Sequence, residues 1–423
     1  MVYGVLICAF LLSCSLDTTE RAGIGSTFHE YSEVHAILAD WALRYPDLVE
    51  LRTVRDPENE DDSRYLPALV LSDRSKIEEN EPRVQLVGAM HGNEELSTEL
   101  LLVLADYLLS EYYSGNPSVR GLLDSLELHL LPVANPDGFR SGSRLNAASV
   151  DLNRNFPWSW TDLGASGISA ADQWETRALI HDASENAYTL SVSLHTGSFG
   201  ISHLWDYTGE LDWSWNGTRI EYTADYFSDK LLPIENTVDS LGEGYKKLLP
   251  EVYLGSFFNR EGYDWYPAYG TFQDWSYGAL GIPAFTLEID VRQDFRAIGV
   301  DSGAIAAAWS IHRVPLLYLL DSGLATTGGM LRDGHTGLPV QGKVTFTRVQ
   351  DPVSKAIAPL EPQVMGLAAH SDRKNGSFHA FLPAGTYSVT AGSSGYSDAP
   401  VFMTTIPPNG KTILGPIYMY QIP

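Results

Sequence analysis

Residues able to hold a metal ion or move a proton occur in this chain where strand-like runs give way to turns. His91 and Glu94 stand three apart in His91-Gly92-Asn93-Glu94, directly after the apolar run from Arg83 to Met90. His195 follows the run from Thr189 to Leu194, Glu288 lies late in the run from Pro283 to Ile289, and Asn135 ends the run that begins at Leu126. A turn after His91 lets its imidazole and the Glu94 carboxylate converge on one cation, with Gly92 easing the backbone. His195 would be the third ligand. Two His and one Glu with a fourth position open is a catalytic zinc arrangement, in which the ion acidifies a water and polarises a carbonyl. Glu288, a carboxylate inside an apolar strand, is costly to bury without a partner or a task. Each piece alone has a plainer reading. A His-x-x-Glu recurs by chance, a lone His195 can be a buried histidine bonded to backbone, and Glu288 can be a paired structural ion.

The preceding runs must be neighbouring strands for these side chains to meet. From about Ala22 to about Leu320, apolar strand-like runs alternate with longer helical ones. That is the pattern of an α/β domain with a mixed, largely parallel central sheet flanked by helices. Glu95 to Tyr113 is apolar nearly all round, as a buried helix is, and Ala304 to Leu320 reads as a closing helix. In such a sheet, ligands bind beyond the carboxyl ends of the strands, where His91, Asn135, His195 and Glu288 all fall. The texture changes near Asp321-Ser322-Gly323. Short alternating runs follow, such as Gly342 to Thr347 and Gly385 to Ala391, separated by Gly, Pro, Ser and Asn turns. They predict a small all-β sandwich of roughly seven strands. The expected division is a leader and tail over 1–21, a catalytic domain over 22–322 and the sandwich over 323–423.

The 423 residues include 28 Lys and Arg against 53 Asp and Glu, a formal net charge of −25. That balance excludes nucleic acid as a partner, whose phosphates need basic surface. It suits cationic substrates, and it also serves simply to keep a protein soluble. After the N-terminus no apolar stretch reads as long enough to span a bilayer. The N-terminal run VYGVLICAFLLSCS looks like the apolar core of a signal peptide, although it lacks a positive start. Leu11-Leu12-Ser13-Cys14 resembles a bacterial lipobox. An extracytoplasmic location follows, with membrane attachment through a lipidated Cys14. Cys8 and Cys14 are the only cysteines, so no disulfide is expected in the mature chain.

The resemblance becomes specific when the motifs are read in order. HGNE at His91, NPDGF at Asn135, DLNRNFP at Asp151, LHTG at Leu194, FQDWSY at Phe272 and TLEI at Thr286 follow the order and rough spacing of the zinc metallocarboxypeptidases. They look most like the branch containing carboxypeptidases N, E, M and D. The likeness covers about Thr27 to Leu320, and the later GLPVQGKVTF and PAGTYSVTAGSSGY resemble that branch's transthyretin-like domain. It implies one zinc ion per chain, bound by His91, Glu94 and His195, the ligand set of carboxypeptidase A. Glu288 matches the general base and Arg144 the arginine that stabilises the oxyanion. Asn153 and Arg154 match the pair holding the substrate's terminal carboxylate, the contact that makes an exopeptidase. Tyr266, seven residues before Gln273, matches the tyrosine that caps the substrate, with Tyr263 and Tyr269 as neighbouring competitors.

The same resemblance bears on specificity. Asp206 lies eleven residues after His195, where basic-specific relatives carry an acidic residue, and Gln273 matches a polar residue deep in their pocket. Release of C-terminal Lys or Arg from peptides or proteins is the expectation. Asp264 and Asp274 would add to local acidity, and Asp206 could instead face solvent or cap a turn. Three departures stand out: Thr196 and Thr271 where glycines are usual, and Trp158 where an acidic residue is usual. Asn216 and Asn375 head glycosylation sequons, expected to be inert in a bacterial lipoprotein. Two rival functions share the fold: trimming of cell-wall peptides that end in diaminopimelate, and non-catalytic peptide binding. The intact set of candidate residues argues against the second. The sequence carries no sign of oligomeric state.

Overall fold

The apolar runs before the candidate residues are adjacent strands of one sheet. The structure, a computed structural model, describes residues 24–422 except 60, 62, 78, 208–210, 216–217, 223–231, 296–302, 351–366 and 408–409. Cys8, Cys14 and Asn216 therefore lie outside the described residues. Helix α1 (Tyr31–Arg44) precedes strands β1 (Val49–Val54), β2 (Leu66–Leu71) and β3 (Arg83–Val87). Helices α2 (Glu95–Ser114) and α3 (Pro117–Leu123) lead to β4 (Glu127–Leu131), α4 (Pro136–Ser141) and α5 (Trp174–Asn186). Strands β5 (Leu190–His195) and β6 (Ser198–His203) come next, then a hairpin of β7 (Leu211–Trp215) and β8 (Thr218–Tyr222). Helix α6 (Leu232–Lys247), β9 (Phe258–Glu261), α7 (Gly262–Trp265), α8 (Phe272–Leu280), β10 (Ala284–Asp290) and α9 (Gly303–Ser322) complete this part.

The sheet has the order β1-β2-β4-β3-β5-β10-β6-β9. Its centre, β4-β3-β5-β10, is parallel throughout. Antiparallel β2 and β6 flank that centre, and β9 runs parallel to β6. β3 and β5 are buried along their whole length even though Arg83, Gln85, Ser191 and Ser193 interleave with their apolar residues, and these polar side chains are paired: Ser191 Oγ donates to Gln85 Oε1 at 2.5 Å, and the Ser193 and Thr286 hydroxyls lie 3.2 Å apart. Helix α2 is likewise buried along most of its length and stops at Gly115, whose φ of 90° suits glycine. Helix α9 corrects one expectation, because it is long and apolar enough to cross a membrane by length and composition. It packs against α2 and α6 as a core helix, which supplies an ordinary reason for its hydropathy.

Among the described residues beyond Ser322 every helix or strand element is a strand. Strands β11 (Thr327–Asp333), β12 (Lys343–Gln350), β13 (Leu367–His370), β14 (Ser377–Ala380) and β15 (Gly385–Gly392) are followed by four more. These are β16 (Tyr396–Ser397), β17 (Phe402–Ile406), β18 (Thr412–Ile413) and β19 (Ile417–Gln421). One five-stranded sheet has the order β14-β11-β19-β16 with β18 added to β11, and one four-stranded sheet has the order β13-β12-β15-β17. That exceeds the seven or so strands expected, the excess coming from the two-residue β16 and β18. Burial in β15 alternates residue by residue, matching its sequence pattern.

A buried ion cluster joins the two parts. Arg83, at the start of β3, donates to Asp372, to Glu127 Oε1 at 3.1 Å and to the Asn186 carbonyl at 3.0 Å. Arg83 and Asp372 are both almost fully buried. The Asn375 amide donates to the Glu79 carbonyl at 2.7 Å. This sequon side chain is thus already engaged, an obstacle to glycosylation independent of cell type. Replacing Asp372 with Ala removes one partner of a buried cation and leaves Glu127 in place. The expected loss of unfolding free energy is about 2 kcal/mol, below that of a wholly unpaired buried charge. Urea denaturation measures it, and an unchanged midpoint would remove the pair from the stabilising contacts.

Candidate metal centre and cavity

Three of the four strand ends supply the site, and the sheet register aligns them. His195 is the last residue of β5, and Glu288 on β10 is its direct partner in register. His91 stands four residues past the end of β3, at the turn into α2. His91 Nδ1 lies 2.8 Å from Glu94 Oε1 and 3.1 Å from His195 Nδ1, and His195 Nδ1 lies 2.9 Å from Glu94 Oε2. All three side chains are buried. Gly92 has a different purpose from the one expected. A Cβ there would fall 2.0 Å from the Gly138 carbonyl carbon, so glycine allows this turn to lie against α4.

Asn135 does not reach the cavity. It is fully buried, its Oδ1 caps α4 at the Gly138 N–H, and its Nδ2 donates weakly to the Arg144 carbonyl at 3.3 Å. It fastens the loop that carries Arg144. Asp151, which the sequence reading quoted only as part of a motif, sits behind the metal-ligand candidates. One oxygen is 3.1 Å from His91 Nε2, and the other accepts from Arg144 Nε at 3.0 Å. A carboxylate on Nε2 holds the proton there and leaves the Nδ1 lone pair facing the other donors. Arg144 also brings one guanidinium nitrogen to 3.1 Å from His91 Nδ1.

The donor set fits zinc. Its ligand atoms lie within 4.8 Å of one another. Ligands at zinc's usual distances in a tetrahedron sit about 3.3 Å apart, close to the separations seen here. Among the described residues, buried His195 Nε2 and Glu288 Oε2 have no hydrogen-bond partner. The other grouping of this kind, Asp73, Glu79 and Glu81, is only half buried and holds no imidazole.

Burial and charge set the protonation states. Until a cation displaces the Nδ1 proton, burial disfavours a charged His91, yet the Glu94 and Asp151 carboxylates outweigh it and lift the imidazole to about 9. Burial raises Glu94, but the His91 and His195 imidazoles pull it well below the usual carboxylate range. Glu288 is pushed up to about 8, first by burial and then by the charge of Glu94.

A cavity of about 160 Å³ opens beside the donor set, and its wall includes Arg144, Asn153, Arg154, Asp206, Tyr266 and Glu288. Asn153 Oδ1 accepts from the Phe272 N–H at 2.9 Å and so ties the Asp151 turn to α8. The Arg154 guanidinium lies 5.9 Å from the centre of the Tyr266 ring. Of the three candidate tyrosines, Tyr266 lines the cavity, whereas Tyr263 and Tyr269 do not. Asp206 is buried at the wall rather than facing solvent. Gln273 stands behind it instead of on the wall, donating to Asp206 Oδ1 at 2.7 Å. Asp274 is also behind, accepting the Asp206 N–H at 3.0 Å. Burial lifts Asp206 to about 6, and it lifts Asp274 well above the carboxylate range, with Asp206 adding to the effect. Thr196 and Thr271 both line the cavity, so these two departures shape its wall. Trp158 is buried and stacks on Trp205, the residue before Asp206, at 5.9 Å.

Comparison with known proteins bears on this geometry. The family model described as zinc carboxypeptidase matches residues 34–303. The chain belongs to the zinc carboxypeptidase family. This carboxypeptidase homologue is 30% identical to carboxypeptidase SOL1 of Arabidopsis thaliana over 336 residues, which are 77% of this chain and 60% of that protein. It is 26% identical to the carboxypeptidase N catalytic chain of Mus musculus over 416 residues, 91% of this chain and 84% of that one. The chain thus spans less than two thirds of SOL1. Among solved structures, thrombin activatable fibrinolysis inhibitor aligns with a TM-score of 0.56 at 18% identity, covering 75% of this chain and 80% of that one. That likeness supports the carboxypeptidase fold.

Proposed function

We propose that this member of the family hydrolyses the last peptide bond of peptides and proteins with zinc at His91, Glu94 and His195, and that it prefers to release Lys or Arg. The observation behind this reading is a single cavity lined by the metal-ligand candidates, by Glu288, by Arg154 and Asn153, and by the buried Asp206. Zinc bound there supplies polarisation of the scissile carbonyl and a more acidic water.

The chain's own groups do the rest. Arg154, with Asn153 beside it, grips the terminal carboxylate through the planar fork of a guanidinium. An internal peptide bond offers no such anion, which restricts cleavage to chain ends. Arg144, 39% exposed and so reachable by substrate, donates to the carbonyl oxygen as negative charge develops there. Glu288 takes a proton from the attacking water and passes it to the nitrogen of the departing residue as the C–N bond breaks. Tyr266 closes over the bound carboxylate next to Arg154. Asp206, held by Gln273, faces the departing side chain. Burial makes its ionised form costly, and a cationic side chain removes that cost in a way a neutral one does not. We further read residues 1–21 as an export leader and tail, with Cys14 as a lipid attachment point, and residues 323–423 as a transthyretin-like domain.

Short peptides differing only in their last residue, assayed with and without a chelator, test the proposal. Release of Arg and Lys should exceed release of Phe, and chelation should stop all three. Glu288→Gln should lower kcat at least about 100-fold with zinc still bound. Retention of most activity would remove Glu288 as the base. Asp206→Ala should cut kcat/KM about 100-fold on Arg-ended peptides, with little change on Phe-ended ones. Equal losses on both would take Asp206 out of the specificity pocket.

A further inference from the structure

Both oxygens of Glu94 are held by groups outside the metal-ligand candidates. The Thr196 N–H donates to Oε2 at 3.1 Å, and Gln293 Nε2 donates to Oε1 at 3.3 Å. The same Gln293 nitrogen donates to the Thr196 carbonyl at 2.7 Å. An amide nitrogen carries two protons, so both bonds can form at once. The three groups close a ring: Glu94 to Thr196, Thr196 to Gln293, and Gln293 back to Glu94. Room for the amide comes from Gly197, whose φ is +112° and whose added Cβ would fall 2.1 Å from Gln293 Nε2. The neighbouring residue is clamped as well. Asp294 Oδ1 accepts from Asn93 Nδ2 at 2.7 Å, and its N–H donates to the Asn93 carbonyl at 3.1 Å. The segment after β10 is therefore tied to the same turn that carries Glu94.

We propose that Gln293 is a positioning residue for the metal centre: held on Thr196, its amide fixes the plane of the Glu94 carboxylate and sets how tightly the ion is bound. This rests on the reading of His91, Glu94 and His195 as ligands. The last torsion of a glutamate is broad, so an unsupported carboxylate samples orientations that present the wrong oxygen. Partners of metal ligands govern affinity in this way.

The test uses the full chain and zinc itself. Zinc affinity is measured by competition with a chromophoric chelator, and the cobalt-substituted protein supplies a ligand-field spectrum. Gln293→Met keeps the length and apolar stem but removes both donated protons, and Gln293→Ala removes the whole side chain. Each is expected to bind zinc about 10- to 100-fold more weakly than the wild type and to change the cobalt spectrum. A Gln293→Met variant with the wild-type spectrum and an affinity within about twofold of wild type would overturn the proposal. So would failure of both variants to fold, which would assign Gln293 a structural role. If the wild type itself binds no zinc, the metal-centre reading fails and this inference falls with it. That outcome is distinct from a wild type that binds zinc beside variants that bind it equally well.

Discussion

Three electron-pair donors, His91 Nδ1, His195 Nδ1 and a carboxylate oxygen of Glu94, meet where water is largely excluded. Nothing about that grouping is comfortable without positive charge among its members. Two imidazole nitrogens 3.1 Å apart can share one proton at most, and the carboxylate between them has given up most of its hydration. A divalent cation answers all three needs together. The surrounding residues follow from the same constraint. Asp151 orients one imidazole from behind while balancing Arg144, and the Thr196 N–H and Gln293 hold the carboxylate.

The sheet makes the meeting possible. Parallel strands β3, β5 and β10 end side by side, and the register that pairs His195 with Glu288 puts the proposed base one strand away from a proposed ligand. The pocket beyond is built on α8. That helix carries Gln273 and Asp274 behind Asp206 and is tied to the Asp151 turn through Asn153. The geometry of the ligand candidates and the cavity wall at Asp206 are thus fixed by a shared framework. At the other end of β3, Arg83 binds Asp372 of the C-terminal β sheets, so the strand leading to His91 is anchored at both ends.

Much of this was legible in the sequence for physical reasons. Short runs rich in Val and Leu and poor in charge mark the buried strands, even where Gln85, Ser191 and Ser193 interrupt them, so the central sheet and the residues at its carboxyl edge could be read directly. The same edge rule also selected Asn135, whose side chain turned out to cap a helix and hold a loop. Position at the edge says where a side chain starts and not where it points. Gln273 likewise falls one layer behind the wall, two residues past the lining Thr271, where its amide meets Asp206 instead of the cavity. Asp151, 60 residues from His91, and Gln293, 199 residues from Glu94, could not be assigned partners from spacing. Their roles exist only through contacts between distant segments. The membrane-length hydropathy of α9 came from packing between α2 and α6, a demand that composition alone does not distinguish from lipid.

The central claim is that one divalent ion sits among His91, Glu94 and His195. Diffraction from crystals of the zinc-loaded protein, recorded on both sides of the zinc absorption edge, addresses it directly. One anomalous peak is expected, bounded by the two Nδ1 atoms and the Glu94 carboxylate, with Glu288 facing the remaining side. A peak lying instead among Asp73, Glu79 and Glu81, with nothing between the two histidines, would contradict it.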